Sequence, residues 1–155
     1  IHGQKNSSVT KERLAAFRNT MERLGIEIPK EYLKAAKYLE VEEAAKQTKS
    51  LLEGGNPPTC ILYPDDTAVI GGRNMIRELG LRIPDDVSVA GYDGIQMSQL
   101  LYPKLTTISQ NTELIGREAA KRLIKRIGHP KATLIERVVI EGNLLEGESV
   151  GKIEG

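Results

Sequence analysis

The sequence predicts an α/β fold built on a doubly wound parallel sheet. Short, continuous apolar runs such as TCILY (residues 59–63) and VSVAGY (residues 87–92) are typical of parallel strands that are buried on both faces. Segments with helical periodicity separate these runs, and this alternation favours a sheet with helices on both of its faces. In such sheets, ligands bind in the crevice beyond the carboxyl ends of the strands.

The first two helices are predicted from apolar residues at helical spacing. Residues 10–24 form the first helix, with Thr10 as the candidate N-cap and Gly25 as its stop. Residues 41–53 form the second helix. The stretch YLKAAKYLE between them has helical composition, but the alternation requires a strand, which we place near residues 35–38.

The second half of the chain continues the alternation. A strand in TCILY precedes a helix at residues 66–79, and VSVAGY and LTTIS (residues 105–109) are the next strands. Residues 94–104 are predicted to be irregular, and ERVVIEGNLLEG (residues 136–147) suits an antiparallel hairpin or an edge pair. The most regular helix is residues 111–127, whose apolar stripe consists of Leu114, Ile115, Ala119, Leu123, Ile124 and Ile127.

The bulk composition fits one domain without an electrostatic footprint for nucleic acid or membrane. The chain has 155 residues and a net charge of +1, with no block of like charge. The single cysteine, Cys60, fits a reducing compartment, and its apolar surroundings predict a buried, unreactive thiol. The chain does not begin with Met, and IHG resembles the end of a strand, so we expect a fragment of a longer protein.

Polar side chains follow three of the predicted strands. Asp65 and Asp66 come after TCILY, Asp93 comes after VSVAGY, and Arg13 follows the strand that ends at Gly3. Because the carboxyl ends of parallel strands share one edge, these side chains should converge on one rim. Carboxylates accept hydrogen bonds and arginine donates them, so the rim suits a polyol such as a sugar or a nucleoside.

Each of these residues also has a purely structural interpretation. Capping of the third helix would explain Asp66 fully, whereas Asp65 lies outside that helix and is harder to explain in this way. Asp93 could form a local turn with Gly94. Arg13 lies in a first helical turn, where the helix dipole disfavours a cation, and it could simply be solvated. The residues alone leave both interpretations open.

The sequence offers no catalytic motif. His2 and His129 have no Cys or Asp at metal-ligand spacing, and the glycines of GGRNMI (residues 71–76) fall inside a helix, which indicates close helix packing and not a dinucleotide site. Asp85 and Asp86 follow Pro84 and suit a turn. We therefore expect neither an enzyme nor a bound cofactor or metal.

Three segments together resemble the LacI/GalR family of bacterial transcription regulators. They are IRELGLRIPDDVSVAGYDG, YPKLTTISQNTELIGREAAKRLIKRI and IEGNLLEGESVG, and the similarity begins at SSVTKERLAAF. The resemblance implies an effector-binding core with a fold like type I periplasmic binding proteins, in which a ligand lies between two subdomains. It implies that residues 1–105 and 134–155 are mainly the C-terminal subdomain. Residues 106–133 would pack on an N-terminal subdomain that this chain lacks.

The resemblance also implies ligand-binding roles for several residues. Arg13 matches the effector-binding arginine of the family. Asp65 matches a strand-end position that is usually Asn or Asp, and Asp66 matches the Asp that follows it. Asp93 matches the Asp of a GYD motif that bonds ligand hydroxyl groups.

Two further positions and two departures bear on the ligand. Gln110 matches a glutamine near the cleft, and Leu39 lies where many members carry an aromatic residue that stacks on a sugar. An aliphatic residue at position 39 argues against standard pyranose stacking. Gly94 replaces the second Asp of a common GYDD motif, and Gly147 stands where Arg is common. These departures leave the identity of the effector open.

The implied function is that of a cytoplasmic, homodimeric repressor. A sugar or related polyol would close the cleft and shift the DNA affinity of a helix-turn-helix domain that precedes this chain. A solute-binding protein of an ABC-type transporter is the alternative, although PKLTTISQ favours the regulator. Because the stripe of the helix at residues 111–127 would be bare, we expect it to pack on another copy or to dock on its own subdomain.

Overall fold

Helices and strands alternate along the chain in the computed structural model, which describes residues 1–130 and 135–152. The helices are α1 (Ser8–Arg23), α2 (Val41–Leu52), α3 (Asp66–Glu78) and α4 (Thr112–Gly128). The strands are β1 (Cys60–Leu62), β2 (Ser88–Asp93), β3 (Thr106–Ser109) and β4 (Asn143–Leu145). Short 3-10 helices span Lys30–Tyr32 and Gln96–Leu100. The predicted α/β class is confirmed.

The strands form one sheet in the order β1-β2-β3-β4. The first three strands are parallel, and β4 is antiparallel to β3. The predicted edge pair is thus confirmed, whereas residues 135–142 do not form the second strand of a hairpin. The strand predicted near residues 35–38 is wrong, because that stretch belongs to no named strand of the described chain. Only one bridge forms there, between His2 and Ala35.

The core lies between one face of the sheet and helices α2 and α3. Helix α3 approaches α2 closely because Gly71 has no side chain, and a Cβ there would lie 1.9 Å from the carbonyl oxygen of Val41. This contact confirms the packing role predicted for the helix glycines. The buried core residues are Ala44, Leu51, Ile61, Tyr63, Ala68, Val69, Ile76, Val87, Val89 and Leu105.

The predicted burial of Cys60 is wrong. Side chains alternate along β1, so Ile61 faces the core while Cys60 and Leu62 point to the opposite face, where they are exposed. Local desolvation nevertheless raises the pKa of the Cys60 thiol. The thiolate is therefore disfavoured at neutral pH.

Helix α1 begins earlier than the sequence predicts. Ser7 is its N-cap, and the Ser7 hydroxyl accepts from the Thr10 backbone N–H at 3.4 Å. The assignment of Thr10 as the cap is therefore wrong. Thr10 is buried, and its hydroxyl pairs with the Tyr38 hydroxyl at 2.9 Å. This hydrogen bond joins α1 to the segment that leads into α2.

Helix α4 stands apart from the core. Among its residues, all of which the structure describes, none is buried. It lies beside the extended segment 135–140, where the Glu136 carboxylate is 3.4 Å from Arg122 and 3.9 Å from Lys125. The expectation that this helix docks on its own subdomain is wrong, because its stripe residues Leu123, Ile124 and Ile127 are largely exposed. Packing on another copy stays a prediction.

In the described part of the chain, no helix combines the length and the apolar character that a membrane crossing requires.

Candidate functional site

Arg13 lies at a rim formed by the ends of β1 and β2 and the first turns of α1. Its guanidinium donates to the carbonyl oxygen of Pro64 at 2.9 Å and approaches the Asp93 carboxylate at 3.9 Å. The Tyr92 ring lies against it, with 3.5 Å between Arg13 Cζ and the ring centroid. Three groups therefore fix the arginine at the rim, where the helix dipole alone would not favour it.

Asp93 ends β2 with a partly buried carboxyl group. Gln110 Nε2 donates to Asp93 Oδ1 at 2.5 Å, and Arg13 approaches the same oxygen. The pKa of Asp93 is raised, chiefly because partial burial disfavours the carboxylate. Gln110 and Arg13 oppose this rise, while the charges of Asp65 and Asp66 add to it. Since both polar contacts found among the described residues use Oδ1, Oδ2 is left available to a ligand.

The backbone turns sharply after Asp93. Asp93 has a φ of 114° and Gly94 a φ of 67°, both in a region that favours glycine. A Cβ at position 94 would lie 2.5 Å from Ser109 Cα. An aspartate at position 94 would therefore not fit here without a backbone shift.

Asp65 lies behind the rim and is 1% exposed. It is the N-cap of α3 and accepts from the Ala68 backbone N–H at 2.8 Å. The interpretation that reserved the cap for Asp66 is therefore wrong. The second oxygen of Asp65 accepts from the backbone N–H of Leu39 at 3.0 Å. The carboxylate thus joins the start of α3 to the segment before α2.

Asp66 is equally buried, at 1% exposure. Its Oδ1 accepts from the Thr107 hydroxyl at 2.6 Å, and its Oδ2 accepts from the Ile95 backbone N–H at 3.0 Å. The side chain therefore ties α3 to β3 and to the turn that follows β2. Direct ligand contact by Asp65 and Asp66 stays a prediction, since protein donors occupy both carboxylates in this structure.

Leu39 borders the same site from the segment before α2. Its side chain is 65% exposed, and its φ is 62°. An apolar side chain held in this conformation offers a ligand a surface without hydrogen bonds. The structure therefore links all six predicted positions in one neighbourhood, although only Arg13, Leu39, Asp93 and Gln110 present side chains that are not buried.

Four contributors to the rim were missed in the sequence. They are Pro64, Tyr92, Ile95 and Thr107. The alternation of β2 could have indicated Tyr92, which lies on the face opposite Val89. The Pro64 carbonyl, the Ile95 N–H and the Thr107 hydroxyl have no comparable signal, because their partners are distant in the sequence. Among the described residues, no group of three or more acidic, His or Cys side chains could hold a metal ion.

A parallel sheet with a polar rim at the carboxyl ends of its strands defines a ligand-binding α/β domain. Residues 1–150 match the family model of the periplasmic binding protein-like domain, and the chain belongs to that family.

Relatives of this chain are bacterial transcription regulators. The ribose operon repressor of Haemophilus influenzae is 30% identical over 150 residues, which cover 97% of this chain and 45% of that protein. A transcriptional regulator LacI from Bacillus cereus subsp. cytotoxis matches with a TM-score of 0.92 and 26% identity, over 98% of this chain and 53% of the other. The CelR–cellobiose complex matches with a TM-score of 0.88 and 28% identity, over 96% and 45% of the two chains.

The chain therefore spans about half the length of the relatives that it matches. The predicted resemblance to LacI-type regulators is confirmed by these similarities.

Proposed function

We propose that this chain is the effector-binding and dimerisation portion of a cytoplasmic LacI-type repressor. The observation that carries the proposal is the pairing of Arg13 with Asp93 at the rim, beside the exposed side chain of Leu39. A guanidinium and a carboxyl group can together donate to and accept from one hydroxyl group or ring nitrogen. The effector is accordingly a small sugar-like or nucleobase-like molecule.

The names of the relatives support this choice of ligand. One relative is a ribose operon repressor, and a structural neighbour is a regulator in complex with cellobiose. Both are regulators, which favours this function over the solute-binding alternative. Because Leu39 is aliphatic, it favours a ligand with an apolar edge that packs against an aliphatic side chain over a ligand that stacks on an aromatic ring.

The switching mechanism depends on a second half of the site. The effector binds between this rim and the N-terminal subdomain of a longer protein, and its higher affinity for one arrangement of the subdomains shifts the DNA affinity of a helix-turn-helix domain. Residues 106–133 pack on that subdomain through the stripe of α4. The boundary at residues 133 and 134 lies outside the described residues.

The homodimer is proposed to form through the segment that follows β2. Leu100 and Tyr102 are 80% and 87% exposed, and Met97 lies in the same 3-10 helix as Leu100. Arg73 on α3 donates to the carbonyl oxygens of Tyr102 and Pro103, which fixes the segment in place. A preformed apolar patch of this kind suits a second copy of the chain.

The effector is tested by thermal shift of the full-length protein against D-ribose, cellobiose and adenine. We expect at least one compound to raise Tm, and we expect Arg13→Ala and Asp93→Ala each to abolish that rise. Arg82→Ala is the matched control, because Arg82 is an exposed arginine that pairs with Asp85 and Asp86 in a turn. A rise that persists in both rim variants would contradict the proposed site.

A further inference from the structure

Two adjacent carboxylates at the start of α3 each hold the backbone beside a rim residue. Asp65 Oδ2 accepts from the Leu39 N–H at 3.0 Å. Asp66 Oδ2 accepts at 3.0 Å from the N–H of Ile95, which follows Asp93 and Gly94. In the described part of the chain, Leu39 and Asp93 are the two non-glycine residues with positive φ, at 62° and 114°. Each carboxylate thus anchors one strained segment.

We infer that Asp65 and Asp66 are positioning residues of the effector rim. Asp65 holds Leu39, and Asp66 holds the turn that carries Asp93, in the conformations that face the ligand. We call these two carboxylates and the backbone N–H groups of Leu39 and Ile95 the clamp. The clamp itself rests on the hydrogen bonds, whereas its role toward a ligand rests on the proposed function. Their burial also favours positioning over ligand contact, since both residues are 1% exposed.

Every carboxylate oxygen of Asp65 and Asp66 accepts one hydrogen bond from the protein. Asp65 Oδ1 caps α3 at Ala68, and Asp66 Oδ1 accepts from Thr107, so each of the four oxygens has a protein donor. Hydrogen bonds to a charged acceptor are stronger than neutral ones. The helix dipole further stabilises carboxylates in the first turn of α3. The two carboxylates can therefore hold Leu39 and Asp93 at positive φ, a conformation that these residue types would otherwise leave.

A purely structural role would need only the capping oxygen of Asp65. Asp65→Asn separates the two roles, because an asparagine oxygen still caps Ala68 while its amide group turns a donor toward the Leu39 N–H. Asp66→Asn likewise loses one acceptor. Asp86→Asn is the matched control, since Asp86 Oδ2 also accepts a backbone N–H, that of Arg82 at 2.8 Å, but in a loop where no non-glycine residue has positive φ.

Hydrogen–deuterium exchange of the full-length protein, resolved to single amides, tests the clamp. In Asp65→Asn we expect the Leu39 amide to exchange about tenfold faster, the factor for one lost charge-assisted hydrogen bond, while Ala68 keeps its protection. In Asp66→Asn the Ile95 amide should respond in the same way. Unchanged exchange at Leu39 and Ile95, or an equal increase throughout the domain, would overturn the inference.

A double-mutant cycle of Asp65→Asn and Leu39→Gly, measured by Tm, supplies a readout that capping alone would not change. Glycine adopts positive φ without strain, so Leu39→Gly removes strain only where Asp65 imposes it. The change in Tm caused by Leu39→Gly should therefore be about 2 °C more favourable in the wild type than in the Asp65→Asn protein. Additive shifts would contradict the clamp.

Ligand binding is measured separately from amide exchange. If D-ribose, cellobiose and adenine all fail to stabilise the wild type, the proposed function fails while the exchange data still decide the clamp. If one of them binds, Asp65→Asn and Asp66→Asn should weaken its Kd more than Asp86→Asn does. Equal losses in all three variants would overturn the positioning role.

Discussion

Leu39 and Asp93 combine exposure at the rim with backbone conformations that their residue types rarely adopt. Such strain persists only where the surroundings over-determine it, and it clusters at ligand sites. The sequence identified both positions, through the family resemblance, but it could not predict their φ angles. These angles depend on Asp65, Asp66 and the close packing at Gly94, all of which act across long sequence separations.

The convergence of Arg13 and Asp93 was predicted from strand ends that share one edge of a sheet, although the segment before Arg13 forms only the isolated bridge between His2 and Ala35. The sequence did not predict that Asp65, and not Asp66, is the N-cap of α3. The predicted helix and α3 both begin at residue 66, so the prediction placed the cap inside the first turn, one residue after the true N-cap Asp65. The long-range partners Leu39 and Thr107 then determine what each carboxylate does.

The raised pKa of Asp93 gives a pH-dependent prediction. A raised pKa means that the folded protein binds this proton more tightly than the unfolded chain, so ionised Asp93 lowers stability above the raised pKa. That loss disappears as the pH falls toward the ordinary value of 3.8. We expect Asp93→Asn to be at least as stable as the wild type at neutral pH, because asparagine also tolerates positive φ.

Urea denaturation across this pH range measures the difference in the free energy of unfolding. The advantage of Asp93→Asn should shrink as the pH is lowered and Asp93 takes up its proton. A variant that is less stable at neutral pH would show that the contacts with Arg13 and Gln110 outweigh the burial of the charge.

At the scale of elements, the helices were predicted to within about two residues, because helical periodicity is a local signal. The segment at residues 35–38 and strand β4 depended on pairing with distant chain, which composition does not encode. Cys60 is a further example. The apolar run does form a strand, but helices α2 and α3 determine which face of that strand is buried, and Cys60 lies on the other face. The helical segment that became α4 was predicted correctly, and its docking on its own subdomain was not.

The stripe of α4 predicts how this helix responds to substitution in the longer protein. Ile124→Gln should lower the free energy of unfolding of the full-length protein by about 2 kcal/mol, the effect of losing one large buried aliphatic side chain. In the 155-residue chain, where Ile124 is 71% exposed, the same change should have little effect.

The control for α4 is Lys125→Gln, at an exposed position on the face of the helix that points away from Leu123 and Ile127. Chemical denaturation of both variants in both proteins completes the comparison. Equal, small effects of Ile124→Gln and Lys125→Gln in the full-length protein would show that the stripe is not covered there.

At the scale of the whole molecule, the fold separates the proposed ligand rim from the proposed dimer surface. The rim lies at the carboxyl ends of β1 and β2, and the apolar patch of Met97, Leu100 and Tyr102 follows it directly in the chain. The Asp66–Ile95 hydrogen bond holds the connection between them. A ligand that repositions Asp93 would therefore act on the segment that carries the proposed dimer contact.

The patch predicts that one charged substitution dissociates the dimer. Leu100→Glu places a carboxylate in the proposed apolar contact between two copies, and a change at a central contact of this kind is expected to raise the dimer Kd by about 30-fold or more. Leu24→Glu introduces the same charge at an exposed leucine beside the end of α1, away from the patch, and should leave the dimer intact. Sedimentation velocity over a range of protein concentrations measures both constants. Dimers of equal affinity in the two variants would place the interface elsewhere.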